Sequence, residues 1–156
     1  VDSKFIKEQI HIDGKIIDVI PTSQLDLEEK YYQKIPYENP KISIDNLKED
    51  YFGKIFGTRS GDKGGCANLG VWAKSQEAYS FLFDFLTVKK LKELLPDLEK
   101  FEIDRFELPN IYSLNFYVHG ILQDGVSSST RMDGQAKSLG EYLRAKKINF
   151  PEQLLK

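Results

Sequence analysis

Near the end of the chain, Leu114-Asn115-Phe116-Tyr117-Val118-His119 alternates between apolar and polar side chains. Side chains of an extended strand point to opposite faces in turn, so Leu114, Phe116 and Val118 share one face and Asn115, Tyr117 and His119 the other. A strand of this kind is buried on one side only. Its second face is polar and aromatic, suited to water, a ligand or a partner subunit.

Other segments supply what covers the buried side. Ala78, Phe81, Leu82, Phe85 and Leu86 recur at helical spacing behind Ser75, a plausible N-cap. Thr87 is placed to cap a second helix with the stripe Val88, Leu91, Leu94 and Leu95, which Pro96 ends. A final helix is expected from an Asp133 cap, with Ala136, Leu139, Gly140 and Leu143 buried. Strands are expected around Lys54–Thr58, at Asn68–Ala73 and over Phe101–Leu108, the last with a bulge near Asp104 and Arg105, where the apolar phase shifts. Mixed strand pairs and helices predict an α+β sandwich: an antiparallel or mixed sheet with helices on one face.

Ahead of this region, Asp13-Gly14 lies between two apolar-rich runs and predicts a hairpin over residues 9–20. From Pro21 to Asp50, prolines 21, 36 and 40 interrupt any periodicity, and the segment reads as a linker with a helical turn near Leu25–Tyr32. Residues 1–50 are thus read as a hairpin and linker, and 51–156 as the main domain.

The chain has 156 residues, enough for a substantial core in one domain of ordinary size. Its 22 basic and 24 acidic residues give a net charge of −2, too near zero to draw nucleic acid or an anionic membrane. No apolar run approaches the roughly 18 to 20 residues that span a bilayer. No apolar region follows Val1-Asp2-Ser3-Lys4, so no secretory leader is expected there, and the start at Val1 is read as trimming or as part of something longer. A single cysteine, Cys66, forbids an intrachain disulfide, and with two histidines no metal site built on Cys and His is expected.

Chemistry is concentrated in two stretches. Gly57-Thr58-Arg59-Ser60-Gly61-Asp62-Lys63-Gly64-Gly65-Cys66-Ala67-Asn68 joins glycines, which free the backbone to present amides, with the cations Arg59 and Lys63. That is the recipe for an anion cradle, although the spacing fits neither a P-loop nor a dinucleotide fingerprint. The plainer alternative is a hairpin turn with solvated charges. Ser127–Asp133 adds hydroxyls and Arg131, whose guanidinium can grip a carboxylate, and its plain alternative is a serine-rich loop ending in a cap. Asp62, Lys63 and His119 are candidates for proton transfer. Cys66 is set aside as a nucleophile because no histidine lies near it in sequence.

Taken together, Arg59-Ser60-Gly61-Asp62-Lys63-Gly64-Gly65, Ala67-Asn68-Leu69-Gly70-Val71, Phe106-Glu107-Leu108-Pro109-Asn110, Leu114-Asn115-Phe116, His119-Gly120 and Arg131-Met132-Asp133 resemble the C-terminal domain of the AtuA-like (acyclic terpene utilisation) proteins over residues 51–156. The resemblance implies a ferredoxin-like α+β fold and a cytoplasmic role in acyclic terpenoid breakdown through acyl-CoA intermediates. It also implies a larger N-terminal domain, on this chain or a companion, whose tail the hairpin at residues 9–20 is similar to. It supplies no reaction and no cofactor. Cys66 departs from the family pattern, which often has Asp or Asn there.

Three functions follow as expectations. In the first, Arg59, Ser60, Gly61, Gly64, Gly65, Asn68, Asn110, Asn115 and Arg131 bind an acyl-CoA or other carboxylate, with the glycine segment and the Arg131 loop meeting at one site. In the second, Asp62, Lys63 and His119 move a proton on an acyl-thioester in a hydration or isomerisation. In the third, the exposed sheet face, with Asn115, Tyr117 and His119 and aided by Trp72, packs against the larger domain or a second copy, giving a homo-oligomer.

Overall fold

The computed structural model describes residues 7–19, 37 and 39–156. The chain divides into two units, Val1–Pro36 and Tyr37–Lys156. In the first, β1 (Gln9–Ile12) pairs antiparallel with β2 (Lys15–Asp18). Asp13 and Gly14 carry the connection with φ of 50° and 72°, the left-handed pair that a two-residue hairpin turn needs. The helical turn expected near Leu25–Tyr32 lies outside the described residues.

The second unit opens with β3 (Leu47–Tyr51), within the span read as linker. It pairs antiparallel with β8 (Lys147–Pro151), a hundred residues later, and its side chains are almost all exposed, so no apolar period marks it. The expected strand at Lys54–Thr58 is instead a helical turn, α1 (Phe52–Ile55), followed by β4 (Gly57–Lys63). Phe52 and Phe56, one turn apart, are both buried with ring centroids 4.9 Å apart, and that pairing favours a turn of helix over a strand.

β4, β5 (Cys66–Trp72), β6 (Ile103–Leu108) and β7 (Ser113–Val118) form one antiparallel sheet in the order β4-β5-β7-β6. Helices α2 (Gln76–Phe85), α3 (Val88–Leu94) and α4 (Leu139–Arg144) bury one side of it, making the ferredoxin-like α+β fold expected from the sequence. Ala67, Leu69 and Val71 of β5 and Leu114, Phe116 and Val118 of β7 join Leu82, Leu86, Leu91 and Leu143 in one core. Ser75 and Thr87 cap α2 and α3 as expected, accepting from the N–H groups of Ala78 and Lys90.

Two local expectations are corrected. β6 runs in unbroken register against β7, from Ile103 opposite Val118 to Leu108 opposite Ser113, with no bulge. Its apolar phase shifts because Arg105 and Glu107 occupy the inward side after Ile103. Arg105 bonds Glu107 at 2.6 Å and the Phe83 carbonyl at 2.7 Å, and Phe106 and Leu108 face out. The last helix starts at Leu139, not at Asp133. Ala136, at φ 53°, interrupts the helical path, and the Asp133 carboxylate caps the preceding turn through the N–H groups of Lys137 and Ser138.

Candidate functional site

The glycine block is mostly strand. Gly57 to Lys63 pair residue for residue with Trp72 to Cys66, so their backbone groups facing β5 belong to the sheet ladder and the cradle of open amides expected there does not form. Only Gly64 and Gly65 make the turn. Gly64 supplies a φ of 61°. Gly65 is small because the 120–125 loop lies against it: its carbonyl accepts from Leu122 N–H at 2.8 Å, and a Cβ there would strike the Gln123 carbonyl oxygen.

Alternation along β4 then separates the candidate residues. Thr58, Ser60 and Asp62 lie on the helix side, opposite Val71, Leu69 and Ala67, whereas Arg59, Gly61 and Lys63 lie on the outer side. Ser60 is a structural clip: its hydroxyl donates to the Lys137 carbonyl at 3.1 Å and accepts from Gly140 N–H at 2.9 Å, fastening α4 to the sheet edge. Gly140 makes the close approach possible, since a Cβ there would lie 2.9 Å from Thr58 Oγ1. Lys63 Nζ turns back to the carbonyl of Asp62 at 2.8 Å. Asp62 is therefore on the opposite side of the sheet from Lys63 and His119, and the three proton-transfer candidates do not converge.

Arg131 lies in the helix layer. It lines a depression of about 380 Å³ with Leu95, Asp97, Leu139 and Tyr142, and no residue from Arg59 to Asn68 takes part. The two cationic segments expected to share a ligand are not brought to one cavity, because the sheet turns Arg59 and Lys63 outward while the loop holding Arg131 packs on the helices. Asp97 and Asp133 beside Arg131 also oppose a bound anion. Asn110 sits exposed in the short 3₁₀ turn Pro109–Ile111 between β6 and β7.

What the structure does bring together is the outer sheet face. The pairing sets Gly57, Trp72, Ser113 and Leu108 in one row, Arg59, Gly70, Asn115 and Phe106 in the next, and Gly61, Asn68, Tyr117 and Asp104 in a third. Asn68 Nδ2 donates to Asn115 Oδ1 at 3.4 Å near the centre. The Trp72 indole lies against Gly57, where a Cβ would come within 2.2 Å of its ring atoms. Trp72, Phe106 and Leu108 are 39%, 50% and 42% exposed, large apolar groups on a single face.

At one end of this face is a polar cluster. Continuing the β5–β7 register by one step sets Cys66 across from His119. His119 Nε2 is 2.8 Å from Asp104 Oδ2, its ring meets Tyr117 edge-on at 4.9 Å, and the Cys66 thiol accepts from Gly120 N–H at 3.4 Å. Hydrogen bonding to Cys66, with a smaller contribution from desolvation, pushes the Tyr117 phenol above its ordinary range. Sequence distance hid this neighbourhood, because Cys66 and His119 lie 53 positions apart along the chain. The signal was the two alternating strands, which when paired put both residues on the outer face. The outward Phe106 and Leu108 were signalled by the phase shift read as a bulge. Among the described residues, no three His, Cys, Asp or Glu side chains come together to hold a metal ion, and no helix is long and apolar enough to cross a membrane.

Compared with known families, residues 52–149 match the AtuA ferredoxin-like domain. The chain belongs to this family. No curated protein and no solved structure matches it. The match to the AtuA ferredoxin-like domain spans all four strands of the main sheet and the three helices against it, and therefore the whole outer face.

Proposed function

We propose that this AtuA ferredoxin-like domain is a protein-interaction module, accessory to the acyclic terpenoid breakdown that the family resemblance implies, and that it works through the outer face of its four-stranded sheet. The observation that carries the reading is the exposure of Trp72, Phe106 and Leu108 on one face, whose two central strands otherwise present glycine, asparagine, serine and tyrosine. Interface cores favour such large aromatic anchors, with polar groups around them. An acyl-CoA or carboxylate site joining Arg59 to Arg131 is disfavoured, since the two side chains serve different sides of the sheet.

The test places a photo-crosslinking benzophenone side chain at position 106 on the outer face and, separately, at position 93 on α3, in the full chain expressed in cells. Discrete adducts from position 106 and none from position 93 are expected. Equal labelling at the two positions, or none at position 106, would overturn the reading.

A further inference from the structure

Resting on the reading of the outer face as a docking surface, we infer that its occupant is a second copy of this chain, packed face to face about a two-fold axis parallel to the strands. Charge and bulk are distributed unevenly across the sheet. The β4 edge presents Gly57, Arg59, Gly61 and Lys63 outward: two cations separated by glycines. The β6 edge presents Leu108, Phe106 and Asp104, with exposed Glu102 just ahead of it: bulky apolar groups, then acid. Between the edges, the outward residues of β5 and β7 from Asn68 to Trp72 and from Ser113 to Tyr117 carry no charged side chain.

A two-fold axis along the strands exchanges left and right but keeps the level along each strand. It therefore lays β4 of one copy over β6 of the other, and does so twice. Level for level, Lys63 then meets the second copy's Glu102 and Gly61 its Asp104, while Arg59 lies over Phe106 with Asp104 one row away. The alternative axis, across the strands, would set β4 against β4 and oppose like charges. The basic β4 edge and the acidic end of β6 are thus complementary in charge for one of the two arrangements. Sheets packed this way lie about 10 Å apart and cross at about 30°. Four strands of six or seven residues cover roughly 19 by 20 Å, about half of what a standard interface buries per partner, so the dimer should be weak.

The experiment is sedimentation of the full chain from about 1 to about 100 µM, with Trp72 emission followed on the same samples. Trp72 is the only tryptophan in the chain, so its emission reports on this face alone. A monomer–dimer equilibrium is expected, with a blue shift as the dimer forms. The Arg59→Glu, Lys63→Glu double variant and the Asp104→Lys, Glu102→Lys double variant should each weaken self-association by at least about tenfold at low salt, while their equimolar mixture restores it. All four side chains are exposed or carry only surface contacts, and circular dichroism checks that each variant is folded. A wild-type chain that stays monomeric throughout, or a mixture no better than its components, would overturn the inference. If the chain is monomeric while position 106 still crosslinks a different protein, only the identity of the occupant falls. If position 106 captures nothing either, the docking surface falls as well.

Discussion

Tyr79 is fully buried, its ring tilted against Tyr37 and Tyr112 and edge-on to Phe83, and its hydroxyl has no hydrogen-bond partner among the described residues. Burial, with smaller contributions from the neighbouring Tyr37 and Glu107, pushes its phenol from 10.0 up to about 12. In the unfolded chain the same phenol ionises near its ordinary value. The folded state therefore holds the proton more tightly, and this contribution to stability is complete below pH 10 and lost as pH rises through about 12. Denaturant titrations across that window should show a steeper fall for the wild type than for Tyr79→Phe. At neutral pH the variant should be at least as stable, since it removes a buried polar group that bonds nothing. Parallel curves for the two proteins would contradict this account of Tyr79.

At the scale of elements, the clip between α4 and β4 gives the sharpest stability test. Ser60→Ala removes both hydrogen bonds of the hydroxyl and leaves the Gly140 N–H without its acceptor at a buried position. The loss should be about 1 to 3 kcal/mol by chemical denaturation, with the outer face unaffected because Ser60 points away from it. A change within experimental error would mean that the loop before α4 is held by other contacts. Elements carried by local signals were legible in the sequence: the Asp13-Gly14 hairpin, the Ser75 and Thr87 caps, and the inward triplet Leu114, Phe116 and Val118. Elements fixed by distant partners were not. β3 and β8 are strands because they pair with each other. Arg105 faces inward because Phe83, on another element, offers it a carbonyl. The glycine block reads as a loop until β5 is laid beside it. For the same reason the candidate site was legible only in part. Asn115, Tyr117 and His119 were placed on the correct face, but the rows that join them to Trp72, Phe106 and Asp104 depend on the register of three strand pairs.

At the largest scale, the second unit is built on a four-stranded sheet that helices cover on one side and that presents Trp72, Phe106 and Leu108 on the other. A face of this kind persists in solution only if its apolar patch is small, or if it is covered when the protein works. The central claim is that it is covered. Hydroxyl-radical footprinting tests this most directly, comparing side-chain oxidation in the dilute purified chain with oxidation inside cells. Trp72 and Phe106 should be several-fold less oxidised in cells, while Met132, fully exposed in the helix-side loop, should react equally in both. Equal oxidation of Trp72 in the two settings, with Met132 as the unchanged reference, would contradict the claim.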